Sequence, residues 1–274
     1  NRRRRIFMKD ARPVAIVTGS SRGVGAAIAK RLAEKHYSVV INYSKSEREA
    51  LEVAAACEAL GAETLLCRAN VAEDEDCRRM AREAVARWGR IDALVNNAGT
   101  TKFCAHDNLE GLVKEDFLNI YSTNLVGPYQ MIRAAAPHMK KIGKGAVVNI
   151  ASTAGITGNG SSVAYCASKG ALINMTKSLA RALGPEIRMN AVCPGFIQGE
   201  WLEGGMGREN YEGLKHYLEA TNPLRMTATA EMIAPAVLFL LEDASLITGE
   251  ILQLDAGNHL GSAVSVSSRA IPKF

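Results

Sequence analysis

The stretch that decides the fold is Val14-Ala15-Ile16-Val17-Thr18-Gly19-Ser20-Ser21-Arg22-Gly23-Val24-Gly25. Its first four residues are apolar, which is typical of a strand covered on both faces. Its end opens a predicted helix over residues 23–35, where apolar side chains recur every four residues. Glycines let a backbone turn tightly and approach a pyrophosphate, whose negative charge the N-terminus of a helix favours. The spacing T-G-x-x-x-G-x-G at this place therefore predicts a turn that binds a dinucleotide.

The rest of the chain repeats this alternation of strand and helix. Apolar runs predict strands at residues 14–17, 39–41, 64–67, 91–95, 146–150, 187–192 and 250–254. Helical patterns are predicted at residues 23–35, 47–60, 73–88, 115–141, 163–183, 200–220 and 228–241. Strands that are apolar on both faces belong to parallel sheets with helices on either side. We predict an α/β fold with a doubly wound parallel sheet, whose ligands bind at the carboxyl edge of the strands.

Composition places the chain among ordinary globular proteins. Its 274 residues are 47% hydrophobic and 22% charged, which excludes disordered, collagen-like and coiled-coil chains. No linker or internal repeat divides the sequence, so we predict one domain over residues 12–258, with an extension at 1–11 and a tail at 259–274. No apolar run of the sequence approaches the ~18 residues of a membrane-spanning helix.

The net charge of +5 comes mainly from the run Arg2 to Arg5. Such a run can bind nucleic acid or a membrane surface, but we interpret it as an incidental extension ahead of Met8 and expect neither partner. The six cysteines form no C-x-x-C pair. They predict buried thiols in a reducing, cytoplasmic location and no metal site.

The segment that follows the second strand predicts which dinucleotide binds. It reads Ile41-Asn42-Tyr43-Ser44-Lys45-Ser46, and its first acid is Glu47. A carboxylate at this place accepts hydrogen bonds from a ribose diol, whereas cations favour a 2′-phosphate. The absence of the carboxylate, together with Arg22 and Lys45, favours NADP over NAD. The alternative is that both cations are solvated surface charges.

Four polar residues are candidates for catalysis: Asn124, Ser152, Tyr165 and Lys169. Tyr165 and Lys169 share one face of a predicted helix, so an ammonium would lie beside a phenol, lower its pKa and help it donate a proton to a carbonyl oxygen. Ser152 follows the fifth strand and could donate to the same oxygen. The side-chain amide of Asn124 could hold a water against Lys169. Each residue alone also has an ordinary structural explanation, such as a packed tyrosine or a capping serine.

The order and spacing of these motifs resemble the short-chain dehydrogenase/reductase family. The resemblance covers residues 12–258 and rests on Thr18 to Gly25, Asn96-Asn97-Ala98-Gly99, Asn124, Ser152, Tyr165 with Lys169, and Pro194-Gly195. It implies a seven-stranded Rossmann fold, often in a homotetramer. It also implies that Tyr165 is the general acid/base, that Lys169 lowers its pKa and binds the nicotinamide ribose, that Ser152 positions the carbonyl, and that Asn124 completes a water-linked proton relay.

The resemblance also implies the cofactor contacts. Asn70 and Val71 would hold the adenine; Asn97, Ala98 and Gly99 would line the adenosine ribose; Pro194, Gly195 and Ile197 would flank the nicotinamide. With the turn and the segment after the second strand, the predicted cofactor residues are Gly19, Ser21, Arg22, Gly23, Val24, Gly25, Tyr43, Ser44, Lys45, Asn70, Val71, Asn97, Ala98, Gly99, Tyr165, Lys169, Pro194, Gly195 and Ile197. Many relatives carry a threonine shortly after the Pro-Gly pair, but this chain reads Pro194-Gly195-Phe196-Ile197-Gln198-Gly199.

Residues 198–221 are predicted to form a mobile lid over the substrate, because five glycines in it allow hinge motion. Its candidate pocket residues are Trp201, Met206, Tyr211 and Tyr217. The segments Asn42-Tyr43-Ser44, Ile247-Thr248-Gly249-Glu250 and Asp255-Ala256-Gly257 look like those of 3-oxoacyl-carrier-protein reductases. We expect an NADPH-dependent reductase of a small-molecule carbonyl or an acyl thioester. The alternatives are a dehydrogenase of a sugar, steroid or other secondary alcohol, and a dinucleotide-binding regulator without turnover.

Overall fold

The computed structural model describes residues 12–261. The predicted extension at 1–11 and residues 262–274 of the predicted tail lie outside the described residues. Within the described range, seven strands form one sheet: β1 Val14–Val17, β2 Ser38–Tyr43, β3 Thr64–Arg68, β4 Ala93–Asn96, β5 Gly145–Ile150, β6 Ile187–Pro194 and β7 Ile251–Leu254. Their order is β3-β2-β1-β4-β5-β6-β7, and every neighbouring pair is parallel. The predicted doubly wound α/β fold is confirmed.

Helices cover both faces of this sheet. They are α1 Gly23–Glu34, α2 Glu47–Ala59, α3 Asp74–Trp88, α4 Lys114–Tyr121, α5 Gly127–Ile142, α6 Ala154–Thr157, α7 Val163–Leu183, α8 Glu200–Met206, α9 Arg208–Thr221 and α10 Ala230–Glu242. On one face, Ile28, Val53 and Val237 of α1, α2 and α10 join the core. On the other, Met80 and Met139 of α3 and α5 do so. Every residue of β1, β2 and β5 is buried, as their mainly apolar sequences predict, and the polar residues Ser38, Asn42 and Asn149 are buried with the rest.

Two long predicted helices are broken in the structure. The helix predicted over 115–141 contains a π-helical segment, Ser122–Val126, between α4 and α5. Gly127 follows that segment and lies against Val71, so close that an added Cβ would be 2.8 Å from Val71 Cγ2. The helix predicted over 200–220 divides into α8 and α9 at Gly207, where φ is 80°. The periodicity of apolar residues predicts both helices but not their interruptions. The π-helical segment depends on contacts with residues distant in sequence, and the break between α8 and α9 depends on the backbone angle of Gly207.

The sheet order places a crevice at the carboxyl ends of β1 and β4. β1 pairs with β2 on one side and with β4 on the other, so the connections that follow these strands diverge. Open α/β sheets bind their ligands at this kind of switch point. The turn after β1 and the loops that follow β4, β5 and β6 meet there. No helix within residues 12–261 has both the length and the apolar character that crossing a bilayer requires.

Candidate active site

The turn after β1 is fixed by a residue that the sequence analysis did not single out, Asn42. Its Oδ1 accepts a hydrogen bond from Gly19 N at 2.9 Å, and its Nδ2 donates to the carbonyls of Cys67 and Ala69 on the neighbouring strand. Ser20 Oγ donates to Val17 O at 2.8 Å and accepts from Asn42 N at 2.9 Å. Asn42 therefore shapes the turn, and it also lines the cavity. The signal that could have revealed it is an amide side chain inside an otherwise apolar strand.

Two glycines let this turn lie against the loop after β4. A Cβ at Gly25 would be 2.5 Å from Asn97 Nδ2, and one at Gly19 would be 2.9 Å from Ala98 Cα. Asn97 Nδ2 donates to the carbonyl oxygens of Thr18 and Gly19, both at 3.0 Å. Thr18 Oγ1 in turn accepts from the backbone N–H groups of Asn97 and Ala98. The two loops thus form one rigid wall of the crevice. Both N–H groups of the Asn97 side chain are used in hydrogen bonds between these loops.

Cations from the turn after β1, the segment that follows β2 and the end of β3 line the crevice. Arg22 and Lys45 are exposed and line the cavity, as predicted, and Arg48 and Arg68 line it as well. Arg48 lies 3.6 Å from Glu49 and 3.9 Å from Glu52, so its charge is partly balanced. The first acid after β2, Glu47, instead accepts a hydrogen bond from the Tyr43 phenol at 2.9 Å.

Asn70 and Val71 line the same cavity beyond the end of β3. Asn70 N donates to Asp76 Oδ2 at 2.7 Å, and Asn70 Oδ1 accepts from Ala72 N at 3.2 Å. Val71 O accepts from Gln130 Nε2 at 2.8 Å. These bonds fix the backbone of this loop where the resemblance places the adenine.

The structure brings Ser152, Tyr165 and Lys169 together. Tyr165 and Lys169 lie near the start of α7, where the Ser162 hydroxyl caps the helix by accepting from Tyr165 N at 3.3 Å. A hydrogen bond joins the side chains of Tyr165 and Ser152. Lys169 Nζ lies 5.7 Å from the centroid of the Tyr165 ring and donates to Ile150 O at 2.7 Å. Tyr165 is 7% exposed and Lys169 4%, so water reaches neither group freely.

Burial controls the protonation of this pair. It raises the pKa of Tyr165 above its usual 10.0, and the hydrogen bond with Ser152 offsets only part of that rise. It lowers the pKa of Lys169 from 10.5 to about 8. The expectation that Lys169 lowers the pKa of Tyr165 is therefore wrong for the chain by itself. Loss of hydration outweighs an ammonium that is itself buried and engaged with Ile150 O.

Asn124 is buried in the π-helical segment and joins two loops. Its Oδ1 accepts from Thr100 N at 2.8 Å, and its Nδ2 donates to Thr100 O at 2.9 Å and to Ser168 Oγ at 3.0 Å. Both amide N–H groups are thus used, so only Oδ1 is left to hold the water that the sequence predicts between Asn124 and Lys169. A second acceptor site on Oδ1 remains. Gly99 lies between this oxygen and Lys169, since a Cβ on it would be 3.6 Å from Asn124 Oδ1 and 3.8 Å from Lys169 Nζ.

Pro194, Gly195 and Ile197 line the far end of the crevice. Gly195 lies so close to β7 that an added Cβ would be 2.7 Å from Asp255 Cβ. Gly199, at the end of the run that lacks the threonine of many relatives, adopts a φ of 146°, which a branched side chain rarely does, and donates from its N–H to the Tyr211 hydroxyl at 3.2 Å. The chain therefore starts α8 with a bend that glycine permits.

Two of the four pocket residues predicted in residues 198–221 line the cavity and two do not. Trp201 and Met206 line the cavity. Tyr211 is buried, with its ring 5.3 Å from that of Phe196, and Tyr217 is 60% exposed on α9. Both lie outside the lining because their helical positions turn them away from the crevice. Phe103, from the loop after β4, lines the cavity instead and was not predicted.

One continuous cavity of about 2520 Å³ connects these parts, from Arg22 and Lys45 at one end to Trp201 at the other. Sites for drug-sized ligands occupy about 300–1,000 Å³. This cavity is large enough for a dinucleotide and a second molecule beside it.

Comparison with known proteins shows that the chain belongs to the short-chain dehydrogenase/reductase family. Residues 19–259 match a family model described as Enoyl-(Acyl carrier protein) reductase. A Streptomyces violaceoruber protein assigned as ketoacyl reductase 2 of the granaticin polyketide synthase is 40% identical over 248 residues, which are 90% of this chain and 96% of the relative. The 3-oxoacyl-[acyl-carrier-protein] reductase of Staphylococcus epidermidis is 37% identical over 249 residues, with shares of 90% and 98%. The chain is an oxidoreductase of this family.

Solved structures agree with this assignment. A protein from Burkholderia xenovorans assigned to the short-chain dehydrogenases/reductases superimposes with a TM-score of 0.85 and 38% identity, over 92% of this chain and 100% of that one. An NAD⁺-bound xylitol dehydrogenase gives a TM-score of 0.79 and 29% identity, over 88% and 96%.

Proposed function

We propose that the chain is an NADPH-dependent carbonyl reductase that acts on a 3-oxoacyl thioester or a related small-molecule carbonyl. The observation that carries the proposal is the cluster at the carboxyl edge of the sheet, where Tyr165 and Lys169 are buried beside the half-buried Ser152. The two relatives described as ketoacyl and 3-oxoacyl reductases support the substrate class. The complete cluster argues against a regulator without turnover.

The residues around the crevice fit a dinucleotide. Gly19 and Gly25 let the turn pack against the loop after β4, and the positive φ of 61° at Gly19 shapes the turn before the N-terminus of α1. Arg22 and Lys45, joined by Arg68, would hold a 2′-phosphate, and Asn70 with Val71 would hold the adenine. When bound, a reduced nicotinamide supplies the hydride. Pro194, Gly195 and Ile197 would place it beside Tyr165.

The side chains then divide the work of protonating the carbonyl oxygen. Tyr165 donates the proton. A phenol with the ordinary pKa of 10.0 is already protonated at neutral pH, as reduction requires, and burial raises the pKa of Tyr165 further. Ser152 donates a second hydrogen bond to the same oxygen and holds the carbonyl in place. Lys169 binds the nicotinamide ribose and orders the groups around the phenol. Asn124 Oδ1 would accept a hydrogen bond from a water beside Lys169 Nζ. The proton that Tyr165 gives to the carbonyl oxygen would be replaced by one that passes from solvent through this water and the Lys169 ammonium to the phenolate.

The test is a steady-state assay of NADPH oxidation with acetoacetyl thioesters and ethyl acetoacetate, repeated with NADH. We expect turnover of a 3-oxo compound and a kcat/KM at least tenfold higher with NADPH than with NADH. Equal kcat/KM for the two cofactors would refute NADP preference. No oxidation of either cofactor with any 3-oxo compound would refute the proposed reaction.

A second candidate is an NAD-dependent dehydrogenase of a polyol or another secondary alcohol. The similarity to the NAD⁺-bound xylitol dehydrogenase favours it. The same assay run in the oxidative direction, with NAD⁺ and xylitol or sorbitol, distinguishes the two candidates.

We further propose that the protein is a cytoplasmic homotetramer. Exposed apolar side chains on and beside α4 and α5 support contact between copies: Leu109, Val113, Leu118, Val126 and Tyr129. Light scattering of the purified protein tests the assembly, with about four times the 29.4 kDa chain mass expected.

A further inference from the structure

The helix α8 carries Trp201 between two glycines with unusual backbone angles. Gly199 precedes the helix with a φ of 146°, and Gly207 follows it with a φ of 80°. None of the seven residues of α8 is buried. A glycine with a positive φ therefore flanks the helix at each end. Because the helix buries no residue of its own, its position depends mainly on its contacts with the active site.

Those contacts are aromatic. The Trp201 ring lies 5.8 Å from the Tyr165 ring, measured between centroids, at an interplanar angle of 56°. It lies 6.3 Å from the Phe103 ring at 65°. Both distances fall in the range of attractive edge-to-face pairs. Trp201 thus contacts both Tyr165, the candidate proton donor, and Phe103 in the loop that follows β4.

Gly205 makes room for this arrangement. An added Cβ at Gly205 would be 1.9 Å from Phe103 Cε2, so no other residue fits there while Phe103 keeps its place. Phe103 is therefore inserted beneath α8, and Trp201 lies between it and Tyr165. Leu202, Met206 and Leu214 extend the same wall of the cavity with apolar side chains.

Trp201 also keeps a free aromatic surface. Its side chain lines the cavity, yet 52% of the residue is exposed. A flat apolar group next to the substrate carbonyl would cover this surface while the carbonyl oxygen faces Tyr165 and Ser152. A methyl group in the same place would leave most of it in water. Stacking of two rings adds attraction beyond the area that is buried.

We propose that Trp201, supported by Phe103, is a specificity-determining residue that selects carbonyl substrates with a planar, apolar ring adjoining the carbonyl carbon, such as aryl ketones. This inference rests on the proposed carbonyl reductase activity and narrows its substrate class.

The experiment compares ethyl benzoylacetate with ethyl acetoacetate, which differ in a phenyl and a methyl group on the ketone carbon. Trp201→Leu is expected to lower the ratio of their kcat/KM values by roughly 5–10-fold, mainly through a higher KM for the phenyl compound. Trp201→Phe keeps an aromatic ring and should restore at least half of the lost selectivity. Tyr217→Leu, which alters an exposed aromatic residue of α9 outside the cavity, is the matched control and should leave the ratio unchanged.

An unchanged ratio in Trp201→Leu, whether the two kcat/KM values fall together or not at all, would overturn the inference while leaving the proposed reaction intact. If the wild-type chain reduces neither ester nor any other 3-oxo compound, the proposed reaction fails and this inference fails with it. These two results are distinguished by the wild-type rates alone.

A binding measurement provides a second readout. The chain has two tryptophans, so Trp88→Phe leaves Trp201 as the only one. In the presence of NADP⁺, ethyl benzoylacetate is expected to quench the emission of Trp201 at lower concentration than ethyl acetoacetate does. Identical titrations for the two esters would contradict direct contact between Trp201 and the ring.

Discussion

The turn after β1 and the lid at residues 198–221 both border the crevice, but they are held in different ways. The turn is tied to β2, β3 and the loop after β4 through the side chains of Asn42, Asn97 and Thr18. In the lid, α8 has no buried residue and α9 buries only Tyr211 and Leu218. The turn thus has the contacts of a fixed element, and the few buried residues of α8 and α9 are consistent with the prediction that residues 198–221 move as a lid.

The largest expected effect is on kcat, and it comes from a residue outside the predicted lid. Tyr165→Phe removes the proton donor and keeps the ring that packs against Trp201. We expect kcat to fall by roughly 10²–10⁴-fold, the usual contribution of a general acid, while the Kd for NADPH changes only a few-fold. Steady-state kinetics and fluorescence titration measure the two quantities. Residual turnover near the wild-type rate would mean that another group donates the proton.

Replacing a glycine by alanine should lower the free energy of unfolding in the turn and raise it in the lid. Gly25→Ala places a Cβ 2.5 Å from Asn97 Nδ2, so the turn and the facing loop must separate, at a cost of about 2–3 kcal/mol. Gly213→Ala lies inside α9 with no atom within 4 Å of the new Cβ, and alanine should stabilise the helix by about 0.5–1 kcal/mol. Urea denaturation measures both changes. Equal effects would show that the two regions are not held differently.

Lys169 should make stability depend on pH. Because burial lowers its pKa to about 8, the unfolded chain binds a proton at Lys169 between pH 8 and 10 that the folded chain has lost. The folded state therefore gains stability as pH rises through this window, and below pH 8 the full cost of burying the charge remains. Relative to Lys169→Met, we expect the free energy of unfolding of the wild type to increase by ~2 kcal/mol from pH 8 to 10. A flat difference between the two proteins would contradict a lowered pKa.

The smallest expected effect concerns cofactor choice. Arg22→Ala should raise the KM for NADPH by roughly tenfold, as loss of one charge-assisted contact predicts, and leave the KM for NADH nearly unchanged. Arg208→Ala, at the start of α9 and outside the cavity lining, is the matched control. A similar change for both cofactors would mean that Arg22 contacts a part that the two share.

Much of the fold follows from local sequence. The mainly apolar runs identified the strands. Gly89 ends α3 with a positive φ of 76°, which glycine adopts readily at the end of a helix. The π-helical segment could not be predicted in this way, because Asn124 is held there by Thr100 and Ser168, which lie far away in sequence. The role of Asn42 depends in the same way on Gly19, 23 residues away.

The sequence by itself determined the doubly wound sheet and the turn after β1, and it predicted that Ser152, Tyr165 and Lys169 act together, because periodicity and spacing are properties of the chain. Only the tertiary structure decided that burial raises the pKa of Tyr165 and that Tyr211 packs inward while Phe103 enters the cavity. Desolvation and ring packing depend on which distant segments meet. Both are set only when the helices and loops pack over the carboxyl edge of the sheet.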